Sequence, residues 1–160
     1  MKAFLSGFGY AFQGIIYCIK NERNMRIHTV AAIFVLIFAR FFAFDRGEYG
    51  VLLLTIGGVL SAEGFNTAIE KLADRLSKEK HPLIKAAKDA AAGAVLIAAI
   101  FSVLIAVVMF SKPEGWENLY QFYTAHPLNF GGIVVLAVAS LIYIIVGPKG
   151  IMKLLGRKEK

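Results

Sequence analysis

The residues best suited to chemistry lie in the stretch SAEGFNTAIEKLAD, residues 61–74. At the helical repeat, three acids and an amide of this stretch share one face about 80° wide; they are Glu63, Asn66, Glu70 and Asp74. Carboxylates can accept a proton from an alcohol or hold a divalent cation. For Glu70 and Asp74, a solvated helix end is an equally good interpretation. Glu63 follows 14 apolar or weakly polar residues, where a charge is costly in a membrane and typically functional.

A second cluster, NERNMRIH, occupies residues 21–28. Its carboxylate, Glu22, is the only acid in the first 44 residues and could simply balance the basic residues beside it. Alternatively, Glu22 and Glu70 could meet around a divalent cation, because magnesium favours one or two carboxylates together with substrate phosphates. Basic groups that could offset phosphate charge follow later in the chain: Lys78, Lys80, His81 and Lys88. The two clusters together predict a site for a metal-bound polyphosphate at a membrane interface.

Other common site types are excluded by their missing motifs. The chain has no GxxxxGK[ST] phosphate loop, no GxGxxG, no HExxH and no GxSxG, so standard nucleotide folds, zinc proteases and serine hydrolases are not indicated. Its single cysteine, Cys18, excludes an intramolecular disulfide and a Cys-based zinc site.

The elements that must position these residues are membrane helices. Of the 160 residues, 58% are hydrophobic and only 18% charged, against roughly 25% charged in soluble domains. Four runs approach the length of about 20 residues that crosses a bilayer: Ile27–Phe44, Tyr49–Ala62, Ala90–Phe110 and Leu128–Val146. The first 20 residues instead have apolar side chains at helical spacing, interrupted by polar residues and glycines, which favours an amphipathic surface helix over a signal peptide. The predicted fold is all-α: an integral membrane helical bundle with an N-terminal surface helix and four spans.

The basic residues predict the orientation of the bundle. They number 18 and concentrate in the N-terminal segment, the second connection and the tail, which places both termini in the cytoplasm. The net charge of +7 then marks the cytoplasmic membrane edge, and no nucleic-acid partner is expected.

The two motifs resemble the prokaryotic diacylglycerol kinase family, which includes the undecaprenol kinases. The segment EGFNTAIEKLADRLSKEKHPLIKAAKD is similar to the family signature E-x-x-N-[ST]-A-I-E followed by D, H and A-K-D. The earlier segment, with Asn21, Glu22, Asn24, Arg26 and His28, is similar to the form common in undecaprenol kinases. The resemblance covers about residues 4 to 110.

This resemblance implies a homotrimer in the bacterial inner membrane, with shared active sites that face the cytoplasm and use ATP and Mg2+. It makes Glu63 the catalytic base for a lipid hydroxyl, Asn66 a further substrate-binding residue, and Glu22 and Glu70 the magnesium ligands. The implied nucleotide contacts also include Tyr10, Glu79, Lys80, His81, Lys88 and Asp89. Some members have an arginine where Ala3 stands here, so either Lys2 replaces it or the contact is missing.

The predicted activity is phosphorylation of a membrane lipid alcohol. Undecaprenol is preferred because of Arg26-Ile27-His28, and diacylglycerol is the alternative. A small proton-coupled transporter using Glu63 and Asp74 as a relay, or a non-enzymatic scaffold, would be different classes of protein. The domain prediction is a kinase domain over residues 1–110, an external linker over 111–127, and an additional span with a basic tail over 128–160. Family members typically end after three spans, so the fourth is expected to be a peripheral helix, with partner docking or lipid guidance as the alternative.

Overall fold

The computed structural model describes residues 2–76, 81–154 and 156, with side chains from residue 6 onward. Within those residues the chain forms six α-helices and no strand: α1 (Lys2–Asn21), α2 (Arg23–Ala39), α3 (Arg46–Leu76), α4 (Pro82–Met109), α5 (Pro113–Ala125) and α6 (Pro127–Leu154). This confirms the all-α prediction. Glu79 and Lys80, two of the predicted nucleotide contacts, lie outside the described residues, as does Lys78.

Helices α3 and α4 form the central antiparallel hairpin, and α2 packs beside α3. Helix α6 packs against α1, α2 and α5. By length and composition, α3, α4 and α6 can each cross a membrane. Helix α3 has 31 residues and is about 46 Å long, so Glu63 lies well inside it rather than at its end.

Helix α2 corrects the predicted first span, Ile27–Phe44. It has 17 residues, or about 25 Å, which is at the lower limit of the length that crosses a bilayer. The helix begins four residues earlier than predicted, at Arg23, and ends at Ala39. The chain then turns over residues 40–43, because the aromatic residues that follow are buried against one another instead of continuing the helix.

The turn between α2 and α3, the C-terminal end of α4, and α5 form a compact cluster that we call the aromatic end. Its buried members are Ala39, Phe41, Phe42, Phe44, Leu52 and Met109. The Phe42 ring packs edge-on against Phe110 and Trp116, with centroid distances of 4.7 and 5.3 Å. Most of the predicted external linker, residues 111–127, is the helix α5. Trp116, Phe122 and Tyr123 pack into this cluster, and Tyr120 is exposed.

Polar contacts close the aromatic end. Asp45 and Glu48 cap the start of α3 reciprocally, each side chain accepting the other's backbone N–H at 2.8 and 2.9 Å, as in a capping box. The Lys112 ammonium forms an ion pair with Glu48 at 2.6 Å. Asn118 on α5 donates to the Phe41 carbonyl at 3.1 Å. These contacts tie α5 to the α2–α3 turn.

Candidate active site

The polar face of α3 is partly buried, and it carries side-chain oxygens that make no hydrogen bond to the described residues. Glu63, Asn66 and Thr67 are 2%, 7% and 3% exposed. Within the described part of the chain, Glu63 Oε2, Asn66 Oδ1 and Thr67 Oγ1 are buried and make no hydrogen bond. Buried polar atoms in proteins nearly always have a partner. Three such atoms on adjacent turns of one helix therefore indicate a place where a ligand supplies the missing hydrogen bonds.

Glu22 is positioned by the junction between α1 and α2. Its backbone is extended, with φ −105° and ψ 122°, where the chain leaves one helix and starts the next. Its carboxylate forms an ion pair with Lys71 on α3 at 2.9 Å. The second predicted metal ligand, Glu70, accepts a long hydrogen bond of 3.4 Å from Asn66 Nδ2. The carboxylates of both Glu70 and Glu22 are near enough to repel that of Glu63.

The structure thus brings together the three acidic residues predicted from two separate motifs. We call this region, the α1–α2 junction with the C-terminal half of α3, the site end of the bundle. Two ammonium groups, Lys71 and Lys88, interact with these acids or with Asp74. The site end thus holds four carboxylates (Glu22, Glu63, Glu70 and Asp74) together with the two ammonium groups and the buried Arg26 guanidinium.

The donor set fits magnesium carried with a nucleotide. Among the described residues, no three His, Cys, Asp or Glu side chains are gathered as a metal site. Magnesium does not need such a cage, because it usually binds through one or two carboxylates, substrate phosphates and water. Glu22 and Glu70 could provide that pair. In this structure the Lys71 ammonium forms an ion pair with Glu22.

A largely apolar groove of about 900 Å³ lies beside the acids, between α1, α2 and α3. Ile15, Cys18, Met25 and Leu60 line its apolar part. Its wall also includes three residues close to the acids: Gly64 and Thr67, which flank Glu63 along α3, and Lys71, the partner of Glu22. Thr67 is the one residue of this lining with a buried side-chain oxygen that is unpaired among the described residues, whereas Glu63 and Asn66 lie outside the lining. An apolar chain in the groove would have its polar end beside the Thr67 hydroxyl.

The predicted nucleotide contacts that the structure describes are distributed over α1 and α4. Tyr10 is exposed on α1. His81 is the N-cap of α4, and its Nδ1 accepts from Leu83 N at 3.3 Å, so this ring has a structural role in addition to the predicted one. Lys88 forms an ion pair with Asp74 at 2.9 Å, and Asp89 is exposed beside it.

Two residues of the site end were not assigned a role by the sequence analysis. Lys71 follows Glu70 directly and lies about 80° from Glu63 around the helix. This position at the edge of the polar face could have predicted that Lys71 belongs to the site. Arg26 was noted only as part of a motif, yet it is 7% exposed. An arginine buried to that degree is rare unless it is paired, but burial is not visible in the sequence.

Comparison with known proteins supports the same assignment. Residues 9–110 match the family "Prokaryotic diacylglycerol kinase". Undecaprenol kinase of Bacillus subtilis is 41% identical over 110 residues, covering 69% of this chain and 89% of that protein. Diacylglycerol kinase of Synechocystis is 38% identical over 110 residues, covering 68% of this chain and 63% of that protein. Diacylglycerol kinase of Escherichia coli K12 is 33% identical over 96 residues, covering 60% of this chain and 79% of that protein.

The match begins within α1 and ends at Phe110, so it contains every residue of the acidic cluster and stops before α5 and α6. It favours the kinase prediction over the transporter and the scaffold. With the apolar spans and the acidic face already described, it establishes that this chain is a multi-pass bacterial membrane protein and a lipid kinase, a member of the prokaryotic diacylglycerol kinase family similar to undecaprenol kinase.

Proposed function

We propose that this chain transfers the γ-phosphoryl group of ATP to the hydroxyl of undecaprenol, in a reaction that depends on magnesium. The observation that carries the proposal is Glu63, a buried carboxylate with an oxygen that no described residue pairs. It lies on α3, which forms one wall of the apolar groove through its neighbour Gly64, and it interacts with two further carboxylates. A lipid alcohol satisfies both surroundings at once, because its chain fits the groove and its hydroxyl can donate to Glu63.

Each residue then has a defined task. Glu63 accepts the hydroxyl proton as the lipid oxygen bonds to the γ-phosphorus, while the bond between that phosphorus and the β–γ bridging oxygen breaks and ADP leaves. Glu22 and Glu70 would hold the cation, whose positive charge would offset that of the nucleotide phosphates. Asn66 orients Glu70 through its hydrogen bond. Its Oδ1 can accept from a water molecule beside the bound lipid, since the one hydroxyl hydrogen goes to Glu63.

The nucleotide is proposed to lie across the polar ends of α3 and α4. Lys88 is already held there by Asp74, and its ammonium would offset phosphate charge. His81 caps α4 through Nδ1, which leaves Nε2 free for the nucleotide. Tyr10 and Asp89, both exposed, complete the described part of the proposed contact set, and Glu79 and Lys80 remain proposed contacts outside it.

Undecaprenol is preferred to diacylglycerol on two grounds. The chain covers 89% of the Bacillus subtilis undecaprenol kinase at 41% identity, against 63% of the Synechocystis diacylglycerol kinase at 38%. The segment Arg26-Ile27-His28 also follows the undecaprenol kinase form. Diacylglycerol is the second candidate, because its hydroxyl would make the same contact with Glu63.

The proposed setting is the bacterial inner membrane. The distribution of basic residues supports a cytoplasmic site and cytoplasmic termini, which is where ATP is available. A homotrimer with shared sites is the proposed assembly. It would cover part of the apolar surface that α3 and α4 expose, for example at Leu54, Phe65 and Phe101.

Purified protein in phospholipid vesicles with magnesium and γ-labelled ATP tests the proposal. Undecaprenol and diacylglycerol are offered separately, and label in the lipid fraction is counted. The matched control for Glu63→Gln is Glu117→Gln, because Glu117 is exposed on α5 and bonds only locally to Gln121.

Label in undecaprenol that requires magnesium and Glu63, and survives Glu117→Gln, supports the proposal. Label in diacylglycerol alone would assign the second substrate. Folded protein that labels neither lipid would overturn the kinase proposal for both.

A further inference from the structure

Helix α6 is broken where it passes the site end. Gly147 has φ 70° and ψ 167°, which interrupts the helix, and Pro148 follows inside it. A proline has no backbone N–H, so the carbonyl four residues earlier loses its helical donor. That carbonyl belongs to Ile144.

The missing donor is replaced by Arg26, which comes from a different helix. Arg26 Nε and Nη2 donate to the Ile144 carbonyl at 3.3 and 3.2 Å. The same guanidinium donates through Nη1 to the carbonyls of Ile19 and Lys20 at 3.4 and 3.5 Å. These two carbonyls belong to the last turn of α1, where helical carbonyls lack intrahelical partners.

One buried cation therefore joins the end of α1, the first turn of α2 and the break in α6. Arg26 lies one helical turn after Glu22, and its backbone N–H donates to the Glu22 carbonyl at 3.4 Å. Gly147 is adapted to this contact, because a Cβ there would lie 3.2 Å from the guanidinium carbon. Its φ is also in the region that favours glycine.

We infer that Arg26 is a positioning residue that uses the break in α6 to hold Glu22 in place. The inference rests on the proposed function, in which Glu22 is a magnesium ligand. It gives α6, which lies outside the family match, a role in the reaction in place of the peripheral packing expected from the sequence. Groups that orient metal ligands without touching the metal commonly affect metal affinity or activity by 10–100-fold.

The kinetic test uses Arg26→Gln, Gly147→Ala and the double variant, each assayed for lipid phosphorylation over a range of magnesium concentrations. We expect each single variant to raise the magnesium concentration for half-maximal activity about tenfold. The double variant should be no worse than the poorer single one, because both remove the same contact.

Matched controls lie on the same helices. Arg23→Gln replaces an exposed arginine of α2, and Gly132→Ala replaces a glycine of α6 where a Cβ meets nothing within 4 Å. Both should retain the wild-type magnesium dependence. If Arg26→Gln fails to fold, Arg26→Lys serves instead. Lysine keeps the charge but lacks the planar guanidinium that reaches the carbonyls of α1 and of Ile144 at the same time.

A second measurement is independent of activity. Spin labels at Lys20→Cys and Lys149→Cys, both exposed, with Cys18→Ser to remove the native thiol, report the distance between α1 and the segment after the break. We expect a narrow distribution of label-to-label distances when Arg26 and Gly147 are both present. The distribution should be broader in Arg26→Gln or Gly147→Ala.

Unchanged magnesium dependence in Arg26→Gln and Gly147→Ala, with an active wild type, would overturn the inference. Additive effects in the double variant would also contradict it. A wild type without kinase activity would refute the proposed function and with it the role of Arg26 in the reaction. The spin-label distances would still test the contact between the helices.

Discussion

At the aromatic end of the bundle, Phe42 is packed against Phe110 and Trp116. Nearby, Glu48 accepts a hydrogen bond from the Asp45 backbone N–H and forms an ion pair with Lys112. At the site end, the equally buried Glu63 has an oxygen that makes no hydrogen bond to any described residue. The same antiparallel helices, α3 and α4, connect both ends. This chain therefore concentrates its close packing at the aromatic end. Its buried polar groups without hydrogen-bond partners among the described residues lie at the site end, as expected when function costs stability.

The comparison predicts opposite responses to mutation. Substitutions at the aromatic end should lower stability with little effect on the specific activity of folded protein. Substitutions of the buried carboxylates should do the reverse. The four changes that follow test this difference between the two ends.

Glu63→Gln should cause the largest loss of activity. A positioned general base typically contributes about 10²–10⁴-fold to the rate, and glutamine keeps the size of the side chain without its basicity. Because a buried, unpaired charge is costly, the melting temperature should stay the same or rise. Lipid phosphorylation and thermal unfolding in the same detergent measure both quantities. A variant with nearly wild-type activity would remove Glu63 from the reaction.

Gly115→Ala should mainly affect stability. A Cβ at this position of α5 would overlap the Phe42 ring, and overpacking a core typically costs about 1–3 kcal/mol. Gly131→Ala is the matched control, because a Cβ there meets nothing within 4 Å. Thermal unfolding should show a clear loss for Gly115→Ala alone. An equal loss of specific activity in the folded fraction would show that the two ends are coupled.

Glu70→Gln should change the magnesium requirement. It removes one of the two proposed carboxylate ligands, and we expect the half-maximal magnesium concentration to rise by about tenfold or more. Chelation of magnesium should abolish activity in the wild type. A magnesium titration of each protein at fixed ATP gives the comparison. If the rate falls while the magnesium requirement is unchanged, Glu70 serves the reaction in another way.

Asp74→Asn should have the smallest effect. The ion pair between Asp74 and Lys88 is exposed, and such pairs contribute little to stability. Lys88→Met, in contrast, should raise the KM for ATP because Lys88 is a proposed nucleotide contact. Equal changes in KM for the two variants would indicate that the ion pair, rather than a direct contact, is what matters.

Much of the fold could be predicted from the sequence because helices in lipid must satisfy their own backbone groups. Long apolar runs therefore predicted α3, α4 and α6 directly. The first span was misplaced at its C-terminal end because Phe41, Phe42 and Phe44 are as hydrophobic as residues that face lipid. Only their mutual packing distinguishes a cluster from a span. Helix α5 was missed within the predicted linker because the packing of its aromatic side chains into the same cluster is also not visible in the sequence.

The family, the helical class and the polar face of α3 could all be predicted from the sequence, because they depend on residue identity and local periodicity. The ion pair between Glu22 and Lys71 and the contact of Arg26 with Ile144 were decided only by the tertiary structure. The second of these joins positions 118 residues apart, and no local pattern encodes which buried cation meets which broken helix. Donors and acceptors at such distances are matched by the packing of whole helices.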